Sequence, residues 1–163
     1  MPISWNKKIP EKGYRQLRKH RCSQRGYYYF VTTRCFDNKK LFANKDAVQI
    51  IFDALDWLEY HQYIECYFAI LMPDHLHLVF QLTGEKSLSQ VMKSLKGFTA
   101  RKIKQHFSLN DPFWQEQFYD HAIREDEDLI EIMKYCMFNP VRAGLVENPL
   151  DYPHWRSKLE LHE

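Results

Sequence analysis

Apolar residues recur along this chain with two different periods. QRGYYYFVTTRCF (24–36) is dense in β-branched and aromatic side chains and predicts a strand. KDAVQIIFDALDWLEYH (45–61) changes to helical spacing, with Val48, Ile51, Phe52, Leu55 and Leu58 on one face. QYIECYFAIL (62–71) predicts a second strand. After Met-Pro-Asp, the run HLHLVF predicts a third, and so short a link favours an antiparallel hairpin. Ser87 and Gln90 form the S-x-x-Q signature of a capping box. The helix they open runs to about Phe107, with Leu88, Val91, Met92, Leu95 and Phe98 inward. SLNDP (108–112) breaks the chain, and FWQEQFYDHAIR (113–124) reads as an irregular segment entering a strand. A helix over 126–138 turns Leu129, Ile132, Met133 and Cys136 inward. PVRAGLV (140–146) predicts a further short helix, and ENPLDYPHWRS (147–157) a Pro-rich tail. Strands and helices in mixed order around one tight hairpin predict an α+β sandwich, with helices packed on a central antiparallel sheet. No internal repeat or linker divides the chain. Residues 1–163 therefore read as one domain, with a basic N-terminal segment (1–25) and a Pro-rich C-terminal tail (147–163).

Composition narrows the class. At 163 residues, 45% hydrophobic and 15% aromatic, the chain can bury a sizeable core and is not a disordered segment. No apolar stretch reaches the ~18 residues of a membrane span and no signal-peptide pattern opens the chain, so a soluble, cytoplasmic protein is expected. Cys22, Cys35, Cys66 and Cys136 form no C-x-x-C pair, which argues against a zinc ribbon or disulfide scaffold and for reduced thiols partly in the core. The net charge of +2 conceals a segregated distribution. Residues 1–25 carry eight Lys or Arg against the single acid Glu11, and KSLKGFTARKIKQH (93–106) has no acid at all. Acids gather elsewhere, as in REDEDLIE (124–131). Two separate basic segments shift the expectation from plain solvated faces toward a polyanionic partner.

The chemistry-bearing stretch is MPDHLHLVF (72–80). On a strand, His75 and His77 share one face while Leu76, Leu78 and Phe80 take the other. Such a pair is a good start for a metal site, or simply two hydrogen-bonded polar residues on a half-exposed strand. KYCMFNPVRAGLV (134–146) offers partners. Tyr135 and Asn139 lie four apart, on adjacent turns of one helix face offset from the apolar stripe. Beside a divalent cation Tyr135 is a plausible nucleophile; otherwise it is a half-buried packing residue. Asn139 precedes Pro140, so it suits a metal ligand or the N-cap of the next helix equally. His121 either faces the same cavity or, the favoured reading, is a polar strand residue, and Asp74 reads as a turn residue after Pro73. No G-x-S-x-G, Walker loop or G-x-G-x-x-G occurs.

MPDHLHLVF, SLKGFTARKIK, WQEQFYDHAIR and YCMFNPVRAGLV, in this order, resemble the REP-associated tyrosine transposases, relatives of the IS200/IS605-type single-tyrosine transposases in the HUH endonuclease superfamily. The resemblance spans roughly residues 14–157, and MPDHLH with Y-x-x-x-N-P-V-R-A-G-L-V about sixty residues later is its most specific part. It implies a ferredoxin-like sandwich with the histidines on a central strand. His75, His77 and Asn139 are then metal ligands, and Tyr135 the nucleophile on a phosphodiester of single-stranded DNA. Two imidazoles and an amide leave positions open for phosphate oxygens and water, which suits Mg²⁺ or Mn²⁺. The implied partner is a REP-type DNA hairpin with a single-stranded flank, met in the bacterial cytoplasm at the nucleoid. The stripe Lys93, Lys96, Arg101 and Lys104 is expected to track phosphates, and Tyr14, Arg15, Arg18 and Arg21 to grip the flank. No protein partner is evident and a monomer is expected. The alternative is a hairpin-binding protein that no longer cleaves.

Overall fold

The computed structural model describes residues 23–124 and 126–161. Its elements are β1 (Tyr28–Arg34), α1 (Lys45–Tyr60), β2 (Ile64–Met72), β3 (His75–Leu82), α2 (Leu88–Phe107), β4 (Tyr119–Ile123), α3 (Leu129–Met137), α4 (Asn139–Arg142) and β5 (Trp155–Ser157). The five strands form one sheet in the order β4-β1-β3-β2-β5, and every neighbouring pair is antiparallel. β3 opposes both β1 and β2, so β1 and β2 run parallel and α1 is the crossover between them. By the same logic α2 joins the parallel strands β3 and β4. This β-α-β-β-α-β path with order 4-1-3-2 is the ferredoxin-like sandwich.

Local signals place the helix starts. Asn44 caps α1 through the Asp46 N–H, and Asp128 caps α3 through those of Ile130 and Glu131. Ser87 and Gln90 form the reciprocal capping box of α2. β2 and β3 are joined by Pro73 and Asp74 alone, and the hairpin pairs Met72 with His75.

The sheet is covered on both faces, so β3 is half apolar twice over. Leu76, Leu78, Phe80 and Leu82 face α1 and α2, where Val48, Ile51, Leu55, Val91, Met92 and Leu95 complete the larger core. Phe30, Phe68, Ile70, Met72 and Val79 face the opposite side and receive Ile132, Met133, Cys136 and Met137 of α3. A bulge between Cys66 and Phe68 makes this possible. It shifts the parity of β2, so Ile64 and Cys66 share the α1/α2 face with Ala69 and Leu71.

Three expectations are corrected. Phe98 is 38% exposed, and Thr99 and Ile103 take the inward positions. After Leu95 the buried stripe advances by four residues rather than three, as a 3.6-residue period requires at intervals. The helix expected over 140–146 is a single turn, Asn139–Arg142, after which Gly144 adopts φ +73°. The Pro-rich tail is not featureless: Trp155–Ser157 adds β5 to the free edge of β2, and the Tyr152 hydroxyl donates to the Leu71 carbonyl at 2.5 Å. Cys35, Cys66 and Cys136 are buried free thiols, each pushed up to about 12 by burial.

Candidate active site

The face of β3 that carries His75 and His77 opens beside α3, and the two rings meet edge to face with centroids 4.6 Å apart. Their Nε2 atoms lie 3.1 Å from each other. Behind each ring sits a fixed partner on Nδ1. His75 Nδ1 donates to Asp74 Oδ1 at 2.6 Å, and Asp74 is flanked by Arg34 at 3.9 Å. His77 Nδ1 lies 2.8 Å from Thr32 Oγ1, on the residue directly opposite it across the β1–β3 pairing. Phe30 stacks on His77 at 5.5 Å.

Burial disfavours the charged form of both imidazoles. Burial pulls the His75 pKa below its usual value and the nearby Arg34 charge adds to this, against the opposing pull of Asp74. His77 is driven well below its usual value by burial first, then by His75, Arg34 and Arg142. Asp74 is pulled below the usual carboxylate range, chiefly by the His75 hydrogen bond. A carboxylate only accepts, so it fixes His75 as the Nδ1–H tautomer and leaves Nε2 with its lone pair outward. Thr32 can donate or accept, and therefore matches either tautomer of His77. Side-chain partners of this kind behind paired imidazoles are what orients histidines toward a shared ion.

Asn139 completes the cluster. Its amide nitrogen lies 3.5 Å from His75 Nε2, and its side chain makes no capping bond. Phe138 occupies the N-cap position of α4 instead. The two ends of an amide are interchangeable in shape, so a half-turn presents Oδ1 at the same point. Among the described residues no group of three His, Cys, Asp or Glu is arranged to hold a metal, and this cluster has three donors only because an amide joins it.

Tyr135 stands on α3 at the margin of the smaller core, half-buried. The helix docks by Ile132, Met133, Cys136 and Met137, and this docking carries Tyr135 and Asn139 to the histidine side of the sheet. Arg142 packs over the Tyr135 ring, 3.9 Å from its centroid.

The basic stripe lies elsewhere. The buried residues of α2 face the α1 side of the sheet, so Lys93, Lys96, Arg101 and Lys104 are carried across the sheet from the histidine pair. Lys93 and Arg101 are exposed. Lys96 donates to the carbonyls of Gln115 and Glu116 at 2.7 and 3.1 Å, tying α2 to the segment that enters β4. Tyr14, Arg15, Arg18 and Arg21 lie outside the described residues. His121 does share the histidine face, opposite Phe30, but its Nε2 is held by both oxygens of Glu127 at 2.9 Å. Thr32, Arg34, Asp74 and Arg142 are the functional candidates that sequence reasoning missed. Asp74 adjoins the pair but reads equally well as a turn residue. Thr32 and Arg34 become visible only once β1 is laid beside β3 in register.

A fold and a cluster of this kind define a class, and comparison with known proteins assigns the family. The model of the family described as "Transposase IS200 like" matches residues 12–137, and the chain belongs to that family. A Haemophilus influenzae protein assigned as a REP-associated tyrosine transposase is 28% identical over 143 residues, 80% of this chain and 79% of its own. The REP-associated tyrosine transposase of Escherichia coli is 29% identical over 85 residues, 52% of this chain and 48% of its own. The solved structure of a REP-associated tyrosine transposase bound to a REP hairpin shares the fold with a TM-score of 0.69. It is 23% identical, and the match covers 83% of this chain and 79% of that one. A Deinococcus radiodurans structure assigned as a transposase aligns with a TM-score of 0.53 and 16% identity, over 77% of this chain and 95% of that one.

Proposed function

We propose that this protein is a metal-dependent single-stranded DNA endonuclease and strand transferase that acts on REP-type hairpins through a 5′-phosphotyrosine link. One observation carries the reading: His75 Nε2, His77 Nε2 and the Asn139 amide converge, and Asn139 opens α4 four residues after Tyr135 of the docked α3. Family membership and the hairpin held by a relative of the same fold supply the substrate class.

The donor set fits a divalent cation. Two imidazoles with their Nδ1 atoms already tied can each turn an Nε2 lone pair to one point, His77 as the Nδ1–H tautomer that donates to Thr32, and an amide oxygen would be a hard third ligand. His75, His77 and Asn139 would hold Mg²⁺ or Mn²⁺, which when bound polarises the scissile phosphate and offsets the charge developing on it. Tyr135 Oη attacks phosphorus, forming the Oη–P bond as the P–O3′ bond breaks. The phenolic proton is released and the departing 3′-oxygen takes one up. The product link is still a phosphodiester, so a second 3′-hydroxyl can displace Tyr135 and rejoin strands with no added energy source. Lys93, Arg101 and Lys104 provide phosphate contacts from the far side of the sheet, and the N-terminal Tyr14, Arg15, Arg18 and Arg21 grip the single-stranded flank. The protein acts on DNA in the cytoplasm as a monomer. Among the described residues no helix is long and apolar enough to cross a membrane.

The test is a labelled single-stranded hairpin incubated with the protein and Mg²⁺ or Mn²⁺, then resolved on a denaturing gel. A covalent adduct is expected from the native protein and none from Tyr135→Phe. Tight hairpin binding with no adduct in either metal identifies a binder that does not cleave.

A further inference from the structure

α3 and α4 are nearly continuous, and Pro140 interrupts the ladder of backbone bonds at their junction. Arg142 lies seven residues beyond Tyr135, two helical turns, and long helical side chains lean back toward the N-terminus. It uses that reach twice. Its Nη2 donates to the backbone carbonyl of Tyr135 at 2.7 Å, and its guanidinium carbon sits 3.9 Å from the centroid of the Tyr135 ring. The first contact fixes the arginine to the tyrosine's backbone, and the second fixes the ring to the arginine. The phenol is thus bracketed by a planar cation anchored to the same residue. Asn139, three residues before Arg142, lies 3.5 Å from His75 Nε2, so the bracket adjoins the histidine site rather than a remote surface.

We propose that Arg142 is the positioning residue for Tyr135, holding the ring in the orientation from which its hydroxyl attacks the phosphate. This rests on the nucleophile role given to Tyr135 above. A flat guanidinium with several N–H groups in a fixed fork stacks and donates in one set geometry, whereas an ammonium is a point charge on a flexible stem and holds a ring less rigidly.

Single-turnover adduct formation with a labelled hairpin separates this role from a structural one, because rate, amplitude and hairpin affinity are read together. Arg142→Ala is expected to slow adduct formation about 10-fold or more, as misplacement of a reacting group does. Amplitude and hairpin Kd should stay within about 2-fold of the native protein, inside the spread of a surface substitution. Arg142→Lys keeps the charge and should recover only a minor part of the rate. In the DNA-free protein, the Arg142 Nε–H NMR signal should be shielded by the ring and lose that shielding in Tyr135→Leu. Native-like rates in Arg142→Ala or Arg142→Lys overturn the proposal. So does a loss confined to amplitude or Kd, or an Nε–H signal that Tyr135→Leu does not move. Tyr135→Phe distinguishes the two levels: an adduct there overturns the function itself, whereas none there with full activity in Arg142→Ala overturns only the bracket.

Discussion

One sheet presents two faces, and they are built on different rules. Toward α1 and α2, β3 offers Leu76, Leu78, Phe80 and Leu82, each at most 1% exposed, inside the larger core. Toward α3 the same strand offers His75, His77, Val79 and Gln81, and only Val79 enters the core there. On the first face burial of apolar surface does the stabilising and few polar groups intrude. On the second, each polar group is held by another: Thr32 on His77, Asp74 on His75, Arg34 beside Asp74. The division shows how a strand can carry a pair of buried imidazoles on one face and pack an apolar core on the other. The larger core lies on one side, and the desolvated, oriented imidazoles sit beside the smaller one at the end of the strand.

The division can be broken from either side. The largest effect is expected at the chemistry. Tyr135→Phe, or alanine at both His75 and His77, should lower adduct formation on the order of 10³-fold or more, as loss of a nucleophile or its partners does. Thermal melting should shift little in either variant, and a collapse of the melt on replacing the histidines would show that this face also carries the fold. Next in size, Leu78→Ala removes a fully buried side chain from the other face and should cost about 2–5 kcal/mol in denaturant unfolding. Adduct formation by the folded fraction should be unchanged.

Thr32→Val keeps the shape of the side chain and removes the hydroxyl behind His77. Calorimetric titration with Mn²⁺ should show affinity reduced about 10–100-fold, the usual cost of losing such a partner. Equal affinity in the variant would leave Thr32 with no part in the site. Smaller again is the basic stripe. Alanine at both Lys93 and Arg101 should flatten the salt dependence of hairpin binding by about 1–2 in log–log slope. Lys96→Ala, whose ammonium is bound to Gln115 and Glu116, should instead loosen that segment, as read by hydrogen exchange, and leave the slope nearly intact.

The smallest effect is a pH dependence. Burial opposes ionisation of Glu127, but the Arg124 backbone N–H and His121 outweigh it and hold the carboxyl below its usual range. A depressed folded-state value means stability that is present above the ordinary glutamate pKa and lost as pH falls through the folded one. Glu127→Gln should therefore melt at lower temperature than the native protein near neutrality, and the two curves should converge as pH falls through the depressed folded-state value of Glu127. Parallel curves across that range would place the His121–Glu127 pair outside the stability of the fold.

Much of the molecule was legible in one dimension because its signals are local. The capping box at Ser87 and Gln90, the helix of 45–60 and the two-residue hairpin before His75 each depend on neighbours within a few positions. Phe98 was misplaced because a helical stripe drifts by a fraction of a residue per turn, and only the packed partner decides which side wins. β5 was missed because three residues behind prolines carry no alternation of their own; the free edge of β2 makes them a strand.

The sequence by itself determined which residues have the right chemistry: two imidazoles on one face of a strand, and a tyrosine and an asparagine one helical turn apart. Periodicity is intrinsic to the backbone, so those relations hold before any folding. Tertiary structure alone decided that Asn139 turns toward His75 rather than capping α4, and that Thr32 and Asp74 stand behind the imidazoles. It alone carried the basic stripe of α2 to the opposite side of the sheet from the histidines and laid Arg142 over the Tyr135 ring. Those outcomes depend on strand register and on which face of the sheet each helix covers, and both are set by packing between segments far apart in the chain.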